Sequence, residues 1–226
     1  MGSFMAMAQT VGKTGDADRV ATQSRRAFWL KHLHQWHWVS SALCLIAMLG
    51  FAITGITLNH AGAIEAKPVV TEHHGSLPDA LRRVLAAMDD AAKPAPPVPD
   101  AVADWLADAM GVDVAGRTAE WSADELYISL PRPGGDAWLS IDRQTGEVLH
   151  EVTDRGWVSY FNDLHKGRNA GVAWSWFIDI AAVACLVFCV TGLFLLQMHA
   201  RNRPTTWPVV GLGLVVPLLL MILLIH

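Results

Sequence analysis

Three long apolar runs constrain this chain more than any other feature. Val39–Leu58 holds 20 residues without a charge, Gly171–Met198 is broken by a single acid, Asp179, and Trp207–Ile225 runs 19 residues uncharged. At about 1.5 Å of rise per residue, roughly 20 helical residues cross the ~30 Å hydrocarbon core of a bilayer. Peptide groups in that core must be satisfied within the segment, so each run is predicted to be a transmembrane helix. Pro208 suits the start of the third run, and Pro217 is expected to kink it. Trp36, Trp38, Trp174, Trp176 and Trp207 stand where interfacial aromatics belong.

Charged residues make up 17% of the chain, against about 25% in soluble domains. The three cysteines, Cys44, Cys185 and Cys189, all fall in apolar runs, which excludes a disulfide scaffold and suggests packing as small hydrophobes. A net charge of −4 gives no footing for nucleic acid. Cations set the topology: Arg25, Arg26 and Lys31 precede the first run, and Arg201 and Arg203 separate the second from the third. The positive-inside rule puts both groups in the cytoplasm. The expected order is a cytoplasmic segment 1–38, a first span 39–58, an external domain 59–169, a second span 171–198, a cytoplasmic loop 199–206 and a third span 207–226. Ser24-Arg25-Arg26-Ala27-Phe28 with Ala61-Gly62-Ala63 approaches a twin-arginine signal and its cleavage site. The run between them exceeds the roughly 7–15 apolar residues of a signal core, so an uncleaved anchor is expected.

Within 59–169, ten Lys/Arg face eighteen Asp/Glu. Leu77–Met88 and Val98–Met110 carry apolar residues at helical spacing, with the Pro94–Pro97 stretch as a linker. The period then drops to two in Leu126–Leu130, Ala137–Ile141 and Val148–Val152, separated by Gly134-Gly135 and Gln144-Thr145-Gly146. Two helices followed by an antiparallel meander predict a small α+β domain between the first and second spans.

Histidine placement carries the most chemistry. His34 and His37 precede the first span and His60 follows it; His165 precedes the second and His199 follows it; His226 ends the third. Imidazoles on neighbouring helices can hold haem iron from both sides, so one haem near each membrane face is a candidate arrangement. His37 to His60 is about 35 Å of helical rise, but His165 to His199 is about 51 Å. The second stretch therefore needs a break, and Lys166-Gly167-Arg168-Asn169 is the natural turn. Pairing His34 or His37 with His199 is thus easier than pairing His60 with His165. The competing reading makes each of these an interfacial polar side chain. His32 points off the His34/His37 edge, and His73, His74 and His150 are expected as surface or fold residues, with metal capture the alternative.

Asp179 is the lone acid in a span, where a carboxylate is costly and needs a partner. It could orient a histidine, take up a proton, or bond Asn59 or Thr57; the structural bond is the expectation. Thr54, Gly55, Thr191 and Gly192 suit close helix packing. Gly167-x-x-x-Gly171 matches the small-residue pairing pattern at the edge of the second span. No phosphate loop, dinucleotide fingerprint, zinc-protease motif or nucleophile elbow is present.

Leu33-His34-Gln35-Trp36 entering a span that ends Thr54-Gly55-Ile56 resembles the opening helix of PepSY-associated transmembrane proteins. Asp163-Leu164-His165-Lys166-Gly167-Arg168 before a span with Thr191-Gly192-Leu193 resembles their later helix. Trp138 through Val148 resembles the closing strand-turn-strand of a PepSY domain. The resemblance covers residues 30–200. It implies a bacterial inner-membrane protein with the PepSY domain in the periplasm. Larger members are similar to di-haem reductases of ferric siderophores, which implies haem b, with His34 and His165 as iron ligands by motif and His37, His60 and His199 by placement. Three spans rather than four or more imply a homodimer or a partner membrane subunit for a full haem set. Two functions stay open: electron transfer through haem to a periplasmic acceptor such as an Fe(III)-siderophore or Cu(II), and a membrane-anchored PepSY module that binds or regulates without redox chemistry.

Overall fold

The computed structural model describes residues 2–88 and 95–225, with side chains from Thr22 onward. Pro94, at the start of the expected linker, and His226 lie outside the described residues. The chain contains three helices long and apolar enough to span a bilayer, with an α+β domain between the first and second. It divides into two compact units, residues 1–48 with 179–226, and residues 49–178.

Helix α1 runs Gly2–Asn59, α5 Gly171–His199 and α6 Thr206–Leu224. In the first unit α1 and α5 meet on small side chains: Ser40, Cys44, Ala181 and Thr191 are all buried. Small residues let helix backbones approach closely. Ser40 answers its own hydroxyl by donating to the Trp36 carbonyl at 2.7 Å. The Arg26 guanidinium donates to the Met198 carbonyl at 3.2 Å, covering an orphan acceptor in the last turn of α5. None of the apolar stretch of α6 is buried. Its side chains are mostly Val, Leu and Ile, a composition that lipid tails satisfy.

The second unit holds a five-stranded antiparallel sheet, ordered β1-β5-β4-β3-β2. Its strands are β1 (Val69–Ser76), β2 (Ala119–Trp121), β3 (Glu125–Ser129), β4 (Gly135–Asp142) and β5 (Glu147–Asp154). In β4 the inward Ala137, Leu139 and Ile141 alternate with more exposed Trp138 and Ser140, as a strand with one solvated face requires. Leu139 and Ile141 join Leu126, Ile128 and Val148 from the sheet and Leu85, Val102 and Leu106 from the helices α2 (Asp79–Ala86) and α3 (Asp100–Met110) in one core. The β4–β5 turn is built by Asp142, whose Oδ1 accepts from the backbone N–H of Gln144 and Thr145 at 2.8 and 2.7 Å. Arg143 is 5% exposed and donates to the carbonyls of Leu85, Met88 and Ser122, with its guanidinium stacked over Trp121. One buried cation thereby closes the end of α2 onto the β2–β3 turn.

Three elements depart from the sequence expectation. The α2 and α3 helices and the three central strands lie where periodicity placed them, but β1 and the short β2 were not foreseen. Nor was α4 (Gly156–Lys166), which precedes the expected turn. It ends at Gly167 with φ of 68°, and Asn169 and Gly171 also take positive φ. The Gly167/Gly171 pair therefore serves chain reversal rather than helix packing. Asp163 of α4 accepts the Gly134 N–H at 2.9 Å. A Cβ at Gly134 would stand 2.7 Å from the Tyr160 Cα, and one at Gly135 would strike the Thr153 carbonyl. The Gly-Gly turn is thus needed for the sheet to reach α4.

Candidate functional site

In the first unit, the C-terminal end of α5 and the facing stretch of α1 bring three histidines around one cavity of about 790 Å³. His34, His37 and His199 line it, with Phe188, Gly192 and Leu196 as its apolar wall and Arg203 and Asn202 at its polar end. The His34 and His199 rings stand 6.1 Å apart between centroids and perpendicular to each other. Each ring is tied to its own helix: His34 Nδ1 donates to the Leu30 carbonyl at 2.7 Å, and His199 Nδ1 to the Leu195 carbonyl at 2.8 Å. A carbonyl can only accept, so both rings carry a proton on Nδ1, and it is Nε2 of each neutral ring that is left to act as an acceptor or ligand.

His37 is held differently. Its ring stacks on Phe188 at 4.5 Å, and Nδ1 reaches the Thr191 hydroxyl at 3.1 Å and the Phe188 carbonyl at 3.2 Å. Thr191 spends its hydroxyl proton on the Val187 and Phe188 carbonyls, so toward His37 it accepts. Gly192 completes the seat: a Cβ there would approach His37 Cε1 to 3.2 Å.

The same device recurs in the second unit. His165 Nδ1 lies 2.7 Å from the Thr54 hydroxyl, which donates to the Gly50 and Phe51 carbonyls. Gly55 lies against the ring, where a Cβ would meet His165 Cε1 in ordinary contact at 3.6 Å. Phe51 meets the ring edge-on. One turn on, Thr57 donates to Asn162 Oδ1 at 2.7 Å, and Trp174 Nε1 donates to the Leu164 carbonyl at 2.9 Å. Both Thr-Gly pairs, read from sequence as packing residues, thus seat a histidine of another helix.

The remaining sites fall apart from these. His60 folds back on its own helix, Nδ1 to the Ile56 carbonyl at 3.0 Å, and neither a ring contact nor a hydrogen bond joins it to His165. The structure therefore gathers His34, His37 and His199, and leaves His60 and His165 separate. Asp179 is exposed and makes no hydrogen bond or ion pair among the described residues. His32 packs against Phe28 at 4.2 Å. In the sheet, His73 and His150 are paired across β1 and β5 and stack at 5.8 Å, while His74 meets Glu72 at 3.5 Å. Among the described residues, no three His, Cys, Asp or Glu side chains converge as a metal-ion site.

Three apolar spans, a PepSY-like α+β domain after the first and histidines seated between helices define a multi-pass membrane protein with a soluble domain between its spans. The chain belongs to the PepSY_TM-like family, whose profile matches residues 28–226. No curated protein and no solved structure matches it.

Proposed function

We propose that the chain binds haem b between α1 and α5 with His34 and His199 as axial ligands, and serves inner-membrane electron transfer. The observation that carries this reading is the His34–His199 pair, 6.1 Å apart with both Nδ1 atoms committed to backbone carbonyls. Metal–imidazole bonds of about 2 Å on either side of one iron bring two ring centres about 6 Å apart. Ligating histidines characteristically donate their other ring N–H to a carbonyl, which fixes the tautomer and the ring plane. Phe188 and Leu196 would pack against the macrocycle, and Arg203, which also lines the cavity, would pair with its carboxylates. Bound there, haem supplies one-electron exchange.

On this reading the cations near Arg25 and Arg201 face the cytoplasm, and the α+β domain presents a periplasmic acceptor of the Fe(III)-siderophore or Cu(II) class. His165, seated by Thr54 and Gly55 but without a second histidine beside it, would need a second copy or a partner subunit to complete another ligand pair.

The test is an absorption spectrum of detergent-purified protein, air-oxidised and then dithionite-reduced. A sharpened Soret band with α and β bands is expected, lost in His34→Ala and in His199→Ala. A colourless protein from haem-replete cells would overturn the reading. A membrane-anchored binding module would then stand in its place, favoured by β1, an edge strand exposed along nearly its whole length and open to strand addition.

A further inference from the structure

In the second unit a cavity of about 380 Å³ opens where the chain leaves its first span, between the exit from α1 and the start of α4. Its lining combines three charged side chains, Glu65, Lys67 and Arg155, with the apolar Ile64, Trp157 and Val158. Among the described residues, none of the three charged groups makes an ion pair or a side-chain hydrogen bond. Arg155 is fixed through its backbone, whose N–H donates to the Gly134 carbonyl at 2.9 Å, so its guanidinium stays uncommitted. The apolar part of the lining is open as well: Ile64, Trp157 and Val158 are all exposed. Height is set by α4, tied to the end of α1 through Thr57 and Asn162 and to the start of α5 through Leu164 and Trp174. The cavity therefore stands at the level where one span leaves the bilayer and the next enters it.

We propose that this cavity binds the headgroup of an aminophospholipid, with Lys67 and Arg155 on the phosphate and Glu65 on the ammonium. A phosphodiester spreads one negative charge over two oxygens, and a guanidinium and an ammonium are the groups that answer it. Glu65 sets the rest of the headgroup. Beside a headgroup that carries only the phosphate charge, its carboxylate would repel the ligand and keep no partner. Beside an ethanolamine headgroup it accepts from the primary ammonium. Ile64, Trp157 and Val158 then cover the glycerol and the first acyl carbons, which accounts for apolar side chains left open beside three charges. Occupied, the cavity ties the start of α4 to the bilayer surface. It shares no residue with the histidine cavity and does not depend on haem.

The experiment is native mass spectrometry of the detergent-purified full chain, offered equal amounts of phosphatidylethanolamine and phosphatidylglycerol. The expected result is a retained phosphatidylethanolamine in preference to phosphatidylglycerol. Lys67→Gln and Arg155→Gln should each weaken its retention on the order of tenfold, the worth of one charge-assisted hydrogen bond. Glu65→Gln should keep lipid bound but erase the preference between the two headgroups. Arg117→Gln, at an exposed cation of the same domain outside the cavity, should change nothing. Retention of neither lipid would overturn the proposal, and so would binding indifferent to Lys67→Gln and Arg155→Gln. Phosphatidylglycerol held as well as phosphatidylethanolamine by the unaltered chain would overturn it too. Displacement of the lipid by inorganic phosphate would make the ligand a free anion and sink it equally.

Discussion

The Thr-Gly seats show how few atoms are needed to fix a histidine. A threonine in a helix donates to a carbonyl one turn back, and its spent hydroxyl can then only accept. That converts Thr54 and Thr191 into tautomer selectors for His165 and His37. Nitrogen-15 NMR of labelled histidine should find both rings protonated on Nδ1. Thr54→Val should release His165 into a mixture of tautomers while leaving His34 and His199 unchanged, because those are held by backbone. Sequence made the threonines and glycines visible as small residues but not as partners. A seat is a relation between helices more than 100 residues apart, and spacing within one helix cannot display it. Arg143 is the other decisive single residue. Its guanidinium serves the carbonyls of Leu85, Met88 and Ser122, and a hydrogen bond to a charged group is worth about 1.5–3 kcal/mol. Arg143→Met should therefore destabilise the domain by about 3 kcal/mol or more, read from chemical denaturation.

At the scale of elements, periodicity located what buries one apolar face and missed what does not. The β4 strand alternates cleanly, so its sequence announces it. Strand β1 pairs on one edge and exposes almost every side chain, leaving no alternation to read. Helix α4 inverts the usual rule: Asn162 and Asp163 are its buried residues, while Trp157 and Phe161 are 76% and 48% exposed. A polar inner face bonded to Thr57 and Gly134, with an aromatic outer face, suits the headgroup layer, where Trp gathers. Trp157 fluorescence is expected to shift to the blue on reconstitution into vesicles and to be quenched by brominated lipid. In the sheet, burial in the first place and the neighbouring His73 in the second lower the His150 pKa from its ordinary 6.5. The unfolded chain takes up a proton that the folded strand resists, so this contribution is neutral above that pKa and costs stability as pH falls below it. Thermal unfolding at pH 5.5 should be earlier than at pH 7.5, and His150→Leu should flatten the difference.

The whole molecule is assembled from parts that answer to different solvents. The sheet domain's core, Leu77 through Val148, is drawn entirely from its own segment. A fragment of residues 66–155 should accordingly be soluble and unfold cooperatively, as circular dichroism with heating would show. Its failure to fold would mean that α4 completes the domain rather than docking on it. The spans have no such independence. Their exposed Leu, Ile and Val are satisfied by lipid, and the small buried contact between α1 and α5 is where chemistry concentrates. Three apolar runs and their order were legible from composition alone, since hydrocarbon admits so few solutions. Which histidine meets which was not, because rotation of one helix about its axis changes every partner without changing the hydrophobic pattern.

That dependence of the imidazole on a glycine in another helix has an evolutionary corollary. Enlarging Gly192 to alanine crowds the ring at His37, and once the ring is gone the glycine loses its reason to persist. Gly192 and His37 are therefore expected to be inherited or lost together. In a broad collection of relatives, chains that replace the glycine should also have replaced its distant histidine, and a relative keeping one without the other should be rare.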